Sequence, residues 1–265
     1  MEEQIEETRN LVATYGPEKI AETAARLHEE KAKQAMKNSR EMPDYYRRVY
    51  ERWYEWLSHI YDPFVKVLFF FLNGGFGGER RWRELIIEWL DPQPGEKILD
   101  ICCGTGTLTI MLGERLAGTG EVVGIELSSA QLKIARKKQK PNNLTFMEGD
   151  AQDIPFSDCY FDKGVICGAL HEMPREVRRN VLSEAYKVIG LGGKMVIFEH
   201  NKPDRKWKAS LFDLLERFNP EYPTYKDLLK CGLVNEIERA GFRIIRTDIT
   251  NWEYFQIVLA ERSSL

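Results

Sequence analysis

Lys97-Ile-Leu-Asp-Ile-Cys-Cys-Gly-Thr-Gly-Thr107 contains the strongest fold signal in the chain. Its first half is a short apolar segment typical of a buried strand, and its second half contains Gly104 and Gly106. Glycine adopts positive φ and lets the backbone approach a ligand closely. Because ligands of open α/β sheets bind beyond the carboxyl ends of the strands, this stretch predicts a binding turn between a strand and a helix.

Strands and helices alternate along the chain after this turn. We predict seven strands, at residues 97–102, 121–126, 144–149, 161–167, 194–199, 242–247 and 255–261. Helices are predicted at 79–90, from the end of the 104–106 turn to about 116, and at 128–140, 174–189 and 233–240. This alternation predicts an α/β fold, a Rossmann-like, mostly parallel sheet of seven strands with helices on both faces. The polar segment 201–230 is predicted to be an irregular insertion.

Residues 1–80 differ in character from the rest of the chain. Ala, Glu, Lys and Arg, all good helix formers, dominate residues 17–40. We therefore predict an N-terminal helical lid or extension at 1–80 and a ligand-binding domain at 81–265.

Three carboxylates are placed at successive strand ends. Asp100 lies near the end of the first strand, and Glu126 ends the second strand, 20 residues after Gly106. A carboxylate at the second position can accept hydrogen bonds from both hydroxyls of a ribose. Asp150 follows the third strand, where it can accept a hydrogen bond from an adenine amino group. This order indicates a nucleoside cofactor.

Composition excludes several classes of protein. Of the 265 residues, 43% are hydrophobic and 30% are charged, which is typical of a soluble globular protein. A net charge of −3 without a dense Lys/Arg cluster argues against nucleic acid binding. The acidic N-terminus does not resemble a signal peptide, and no apolar run approaches the ~20 residues of a membrane span. Five cysteines without a CxxC pair predict a cytoplasmic location.

The motifs resemble those of the class I S-adenosylmethionine (SAM)-dependent methyltransferases, within them the ubiquinone/menaquinone C-methyltransferase-like group (methyltransferase type 11). Four segments are similar to that group's motifs: LDICCGTG at 99–106, VGIELS at 123–128, GDAQDIPF at 149–156 and VIGLGGKMVIF at 188–198. The likeness spans roughly residues 60–200. One departure is Cys102, which stands where the first glycine of the motif is usual, and we expect a slightly tighter turn there.

The resemblance implies SAM as the cofactor and assigns ten residues to its site. These are Asp100, Cys102, Gly104 and Gly106 at the methionine part, Glu126 at the ribose, Leu127, Asp150 and Ala151 at the adenine, and Cys167 and Gly168 near the sulfonium.

His171 and Glu172 follow the fourth strand, where methyltransferases often place groups that face the acceptor. A neutral His171 could remove a proton from the acceptor as the methyl group arrives. It could equally be a structural cap for the helix that begins near Pro174. His200, at the end of the fifth strand, could line the same pocket.

The resemblance implies methyl transfer to a small acceptor that is apolar, or quinone- or lipid-like. The apolar run at residues 64–72 fits plain packing, a lid over such an acceptor, or shallow contact with a membrane surface. No metal site is expected, because adjacent side chains such as Cys102 and Cys103 at a strand end point in opposite directions. The oligomeric state stays open.

Two alternatives to methyl transfer use a similar fold. A nicotinamide-dependent oxidoreductase needs Gly-x-Gly-x-x-Gly, whereas Thr109 stands where the third glycine should fall. A SAM-binding protein of the same fold could instead catalyse another SAM-dependent reaction or act as a sensor or assembly factor.

Overall fold

The computed structural model describes residues 78–217, 221–250 and 253–263. The strands are β1 (Lys97–Ile101), β2 (Glu121–Glu126), β3 (Leu144–Glu148), β4 (Phe161–Cys167), β5 (Ile189–His200), β6 (Arg243–Thr250) and β7 (Phe255–Glu261). The helices are α1 (Gly78–Leu90), α2 (Thr107–Arg115), α3 (Ser129–Lys137), α4 (Arg175–Val188), α5 (Lys206–Glu216), α6 (Tyr222–Cys231) and α7 (Leu233–Arg239). A short 3₁₀ turn, Leu170–Glu172, follows β4.

The seven strands form one sheet in the order β3-β2-β1-β4-β5-β7-β6. Strands β1 to β5 pair in parallel, and β7 runs antiparallel to both β5 and β6. The predicted Rossmann-like, mostly parallel sheet is therefore confirmed. Because β1 is flanked by β2 on one side and β4 on the other, the winding direction reverses at β1, which is where such sheets bind ligands.

The centre of the sheet is apolar on both faces. Ile98, Leu99 and Ile101 of β1 are fully buried, as expected for a strand covered by helices on both sides. Trp82 of α1 stacks on Phe198 of β5, with ring centroids 5.0 Å apart and planes 20° from parallel. This contact fixes α1 over the sheet beside the carboxyl end of β5.

Strands β2, β4 and β7 have the predicted bounds, whereas β5 begins five residues earlier than predicted, at Ile189 instead of Lys194. Phe161 pairs with Ile189, and a register shift separates this pair from the regular pairing that starts at Lys163 and Lys194. The prediction missed the start of this strand because it contains three residues that are unfavourable in strands, Gly190, Gly192 and Gly193.

The prediction that residues 201–230 are irregular is wrong, because this segment contains α5 and α6. The inner faces of these helices bury Phe212, Tyr225 and Leu228. Asp227 of α6 accepts a hydrogen bond from Arg178 of α4 at 2.9 Å. The polar residues that suggested a loop are the outer faces and the ion-pairing groups of two short helices.

The predicted N-terminal helical extension and the apolar run at 64–72 lie outside the described residues, except that residues 78–80 open α1. In the part of the chain that is described, no helix is both long enough and apolar enough to cross a bilayer.

Candidate active site

Polar groups line the carboxyl ends of five neighbouring strands. Asp100 lies in β1, Glu126 ends β2, Asp150 follows β3, Cys167 ends β4 and His200 ends β5. Since β3, β2, β1, β4 and β5 are adjacent and parallel, these residues form a row along one edge of the sheet. The structure thus brings the predicted cofactor residues and the predicted acceptor residues to the same edge.

The turn after β1 contains three residues with left-handed backbone: Cys102 (φ 60°), Gly104 (φ 57°) and Gly106 (φ 74°). A bond from the Gly106 N–H to the Cys103 carbonyl, 3.0 Å long, closes the turn. A Cβ at Gly106 would lie 2.3 Å from Cζ of Phe146, so only glycine fits there. Cys102 adopts a conformation that costs a side-chain-bearing residue about 1–2 kcal/mol, which is the structural consequence of the missing glycine.

We expect Cys102→Gly to be about 1 kcal/mol more stable to unfolding than Cys102→Ala. Both variants lack the thiol, but only the alanine retains the strain of the left-handed backbone. Urea denaturation of the two variants measures the difference. Equal stabilities, or a more stable alanine variant, would contradict a strained turn at this position.

Glu126 is buried and ties the turn after β1 to the start of α3. Its Oε2 accepts the Gly104 N–H at 3.0 Å, and its Oε1 accepts the Ser128 N–H at 2.8 Å. An ionised carboxylate offers about four acceptor positions. Glu126 can therefore hold the turn and accept ribose hydroxyls with the same two oxygens.

Asp100 is buried beside this turn and accepts a 2.7 Å hydrogen bond from the Thr109 hydroxyl. Burial raises the pKa of Asp100 to about 7, the Thr109 bond and the Arg83 charge lower it, and the Glu126 carboxylate raises it. A positively charged ligand next to Asp100 would stabilise its ionised form. The pair Asp100 and Glu126 thus favours a cation in this site.

The predicted adenine residues lie at the ends of β2 and β3. Asp150 accepts the Gln152 N–H at 2.9 Å, Ala151 is buried and Leu127 is half-buried. On the other side of β1, Gly168 has φ 59°, and a Cβ there would meet no atom within 4 Å. The backbone after Cys167 therefore faces open space next to the turn.

Arg83 of α1 is a site residue that was missed. It lines one cavity together with Asp100, Gly104 and Cys167. The Arg83 guanidinium lies 4.4 Å from the centre of the Trp82 ring, and its Nη1 donates to the Glu79 carbonyl at 3.0 Å. The sequence could have indicated this residue through its helical spacing. Arg83 precedes Ile87 by four residues and Leu90 by seven, so it shares the buried face of α1.

Glu199, near the end of β5, is a second residue that was missed. Its buried carboxylate accepts three backbone N–H bonds, from Leu170 at 2.8 Å, His171 at 3.3 Å and His200 at 2.7 Å. It also bonds Nδ1 of the His171 ring at 2.8 Å. These four bonds fill the acceptor positions of a carboxylate, so Glu199 fixes the turn after β4 and the His171 ring together.

His171 forms a buried ion pair with Glu199. Burial lowers the pKa of His171, but the carboxylates of Glu199, Glu172 and Glu221 outweigh burial and raise it to about 10. The same pair lowers the pKa of Glu199 to about 2, against the opposite effect of its burial. His171 is therefore an imidazolium at neutral pH. Its Nε2 lies 4.0 Å from a carboxylate oxygen of Glu221.

These contacts do not favour His171 as a general base, and they exclude it as a helix cap. A protonated ring cannot accept a proton, so the charge state does not favour the general base, which stays a prediction. The helix-cap role is wrong, because the two ring nitrogens face Glu199 and Glu221 and neither bonds to the first turn of α4. Glu172 is buried in the same turn.

His200 lies against His171, with ring centroids 4.2 Å apart. Its Nδ1 has no hydrogen-bond partner among the described residues. Burial and the His171 charge lower the pKa of His200 to about 3, despite the opposing effect of Glu199. The ring is therefore neutral at pH 7 and only weakly basic.

The side-chain ligand atoms of His171, Glu199 and His200 lie within 4.8 Å of one another, a spacing that could also hold a metal ion. The four hydrogen bonds to Glu199 leave its carboxylate without a free acceptor position. The ion pair and the backbone bonds account for this cluster, and we assign no metal to it.

A family model for the methyltransferase domain matches residues 98–193, which contain the turn after β1 and the ends of β2, β3 and β4. Over 168 residues the chain is 30% identical to demethylmenaquinone methyltransferase of Listeria welshimeri, covering 62% of this chain and 68% of that protein. The chain belongs to the class I SAM-dependent methyltransferases. Within this family it falls in the quinone C-methyltransferase group, and the cofactor of the family is SAM.

Other relatives of this chain match over shorter stretches. It is 33% identical to 2-phytyl-1,4-beta-naphthoquinone methyltransferase of Arabidopsis thaliana over 155 residues, 56% of each protein. It is 37% identical to demethylmenaquinone methyltransferase of a Geobacillus species over 126 residues, 46% of this chain and 53% of that protein. The chain thus spans about half the length of the curated relatives it matches first.

Solved structures agree on the fold. A SAM-dependent methyltransferase from Aquifex aeolicus superposes with a TM-score of 0.52 at 19% identity, over 67% of this chain and 88% of that one. The cyclase SpnF superposes with a TM-score of 0.59 at 16% identity, over 81% of this chain and 95% of that one. At these identities the likeness shows the architecture alone.

Proposed function

We propose that this chain transfers the methyl group of SAM to a small acceptor that is apolar or quinone-like. The observation that carries this proposal is the row of Asp100, the glycine turn and Glu126 beside the imidazolium of His171, along one edge of the sheet. Relatives named for naphthoquinone and demethylmenaquinone methylation support the acceptor class. They also favour methyl transfer over another SAM-dependent reaction or a sensor role.

The residues fit the cofactor by charge and by shape. Two buried carboxylates suit a ligand that carries an ammonium and a sulfonium group, and left-handed glycines allow the backbone to approach it. When bound, SAM supplies a methyl group that is already activated by the sulfonium. The chain then contributes binding, orientation and the exclusion of water.

We assign Asp100, Arg83 and the backbone of Gly104 and Gly106 to the methionine end of the cofactor, where Arg83 would pair with its carboxylate. In this arrangement Cys102 belongs to the turn, Glu126 binds the ribose, and Leu127, Asp150 and Ala151 surround the adenine. Cys167 and Gly168 lie next to the methyl group. Of these residues, Arg83 and Asp100 share one cavity with Gly104 and Cys167.

His171 acts on the acceptor as a fixed positive charge in this proposal. The acceptor would first give its hydroxyl proton to solvent, and the resulting anion would then take the methyl group of bound SAM; a ring carbon that takes the methyl group would afterwards release its own proton to solvent. With Nδ1 bonded to Glu199, the Nε2–H of the imidazolium can donate a hydrogen bond to an acceptor that has already ionised, such as a phenolate, and this bond lowers the energy of the anion. Glu199, with smaller contributions from Glu172 and Glu221, keeps His171 protonated, and His200 packs against the His171 ring.

His171→Ala should leave the affinity for SAM unchanged and lower kcat by roughly 100-fold. The pH profile of the unaltered enzyme separates the two roles of His171. A fixed charge predicts a kcat that stays level as the pH rises from neutral and falls as the pH approaches the His171 pKa of about 10. A general base would require kcat to rise as that ring loses its proton, and unchanged turnover in His171→Ala would remove His171 from the mechanism.

A thermal shift comparison tests the cofactor. SAM and S-adenosylhomocysteine at ~100 times their dissociation constants should stabilise the chain by ~2.7 kcal/mol, which raises Tm by roughly 5–10 °C. NAD and NADP should have no effect, because the third glycine of their motif is absent. A shift with a nicotinamide nucleotide and none with SAM would refute the proposal.

We place this activity in the cytoplasm. All five cysteines are free thiols, as a reducing compartment allows. A lipophilic acceptor would then have to be reached from the surface of a membrane.

A further inference from the structure

Helix α5 exposes three large apolar side chains. Trp207, Leu211 and Leu214 are 57%, 41% and 52% exposed. They are spaced by four and then three residues, which places them on one face of the helix. Single exposed apolar residues are ordinary, but three in a row form a patch of the kind that binds a partner or a membrane. We call Trp207, Leu211 and Leu214 the apolar stripe.

The inner face of α5 is firmly attached to the domain. Phe212 is buried against Tyr254, with ring centroids 4.0 Å apart. Lys208 forms a 2.7 Å ion pair with Glu253, and the Tyr254 hydroxyl bonds the Glu216 carboxylate. The helix therefore already has an inner packing face, and the apolar stripe is a second, outward face.

Basic residues border the apolar stripe. Lys202, Arg205 and Lys206 are exposed at the N-terminal end of α5, and the single acidic residue among them is Asp204. Further along the helix, the Asp213 carboxylate accepts hydrogen bonds from Lys226 and Tyr222. Trp and Leu on one face, next to Lys and Arg, are typical of helices that lie in the headgroup region of an anionic bilayer.

The apolar stripe is close to the acceptor side of the active site. Strand β5 ends at His200, and α5 begins six residues later. Phe212 packs against Tyr254, and the Tyr254 ring centroid lies 4.8 Å from that of His200. One layer of aromatic side chains thus separates α5 from the His171 and His200 pair.

From these observations we infer that α5 docks the domain on an anionic lipid bilayer. Trp207, Leu211 and Leu214 enter the interface, and Lys202, Arg205 and Lys206 contact the lipid phosphates. This inference rests on the proposed function in one respect, because a lipophilic acceptor resides in such a bilayer. Lys202, Arg205 and Lys206 attract anionic lipids over a long range, so binding depends on both the lipid charge and the salt concentration.

The test is co-sedimentation of the purified full chain with vesicles of phosphatidylcholine, alone or mixed with phosphatidylglycerol, without SAM or acceptor. We expect binding to the mixed vesicles at ~0.1 M salt and release at ~1 M salt, where screening shortens from about 10 Å to about 3 Å. The triple variant Trp207→Ser, Leu211→Ser, Leu214→Ser should bind at least ~10-fold more weakly. The variant Lys202→Gln, Arg205→Gln, Lys206→Gln should show a similar loss.

A matched control carries Leu191→Ser, Ile245→Ser and Ile249→Ser, which alter three other exposed apolar residues. This control should bind vesicles like the unaltered chain, and all variants should keep their thermal shift with SAM. Absence of vesicle binding, or equal binding by every variant, would overturn the inference. So would light scattering that shows the α5 variant dissociating a dimer, since the apolar stripe would then join two copies of the chain.

A separate measurement tests the proposed function independently of vesicle binding. Turnover of a water-soluble, short-chain naphthoquinol is measured without vesicles, where docking has no role. No turnover there, with vesicle binding intact, would refute the acceptor class and leave the docking inference standing.

Discussion

Glu126→Ala should weaken SAM binding at least ~100-fold, the largest loss of affinity that we expect from one substitution. The variant loses charge-assisted hydrogen bonds to the ribose, each worth about 1.5–3 kcal/mol. It also releases the Gly104 and Ser128 amides, so the turn after β1 is no longer tied to α3. Isothermal titration calorimetry with SAM and S-adenosylhomocysteine measures the change.

The matched control is Glu148→Ala. Glu148 pairs with Glu126 in the sheet register, but it is exposed. The same loss of negative charge at Glu148 should change the affinity less than about threefold, because a surface charge is screened by water and salt. A Glu126→Ala variant that binds SAM as well as Glu148→Ala does would show that Glu126 holds no ribose.

Glu199→Gln should lower the free energy of unfolding by about 3–5 kcal/mol at pH 6, because it leaves the buried His171 imidazolium without its partner. The pH dependence of stability reports the same pair. His171 keeps its proton up to a pKa of about 10 in the folded chain, compared with its ordinary value of 6.5. Its stabilising effect is complete below pH 6.5 and is lost progressively as the pH rises toward 10.

Urea denaturation between about pH 6.5 and 8.5 should therefore show a loss of stability that approaches ~1.4 kcal/mol per pH unit from this one proton. Glu199→Gln should remove most of that slope, and a double-mutant cycle with His171→Gln isolates the coupling. Asp100, whose pKa is raised to about 7, and the buried thiols, whose pKa values are raised, also lower the stability as the pH rises through this range. The difference in slope between the unaltered chain and Glu199→Gln cancels these contributions and isolates the effect of the ion pair. A pH-independent stability in the unaltered chain would contradict the ion pair.

Much of the fold was readable because its signals are local. The strand, glycine turn and helix at 97–107, and the carboxylates Glu126 and Asp150, lie in contiguous motifs whose spacing is set by strand length. Helices α5 and α6 were not predicted because their signals are not local. Their apolar residues Phe212, Tyr225 and Leu228 have meaning only against a neighbouring surface, and polar residues outnumber them in the segment.

The acceptor side was only partly predictable. His171 and His200 stood out as polar residues at strand ends, but their charge states depend on Glu199, which lies 28 residues from His171 and bonds it across the sheet edge. Long-range pairing of this kind leaves no periodic trace in the sequence. The departure at Cys102 was visible in the sequence as a missing glycine, but the positive φ that strains this residue is seen only in the backbone.

Methyl transfer itself is measured by following the labelled methyl group of SAM in the presence of a short-chain demethylmenaquinol. We expect the label to enter the organic-soluble acceptor and S-adenosylhomocysteine to form in equal amount. Tight binding of SAM, with neither a labelled acceptor nor S-adenosylhomocysteine formed, would contradict methyl transfer.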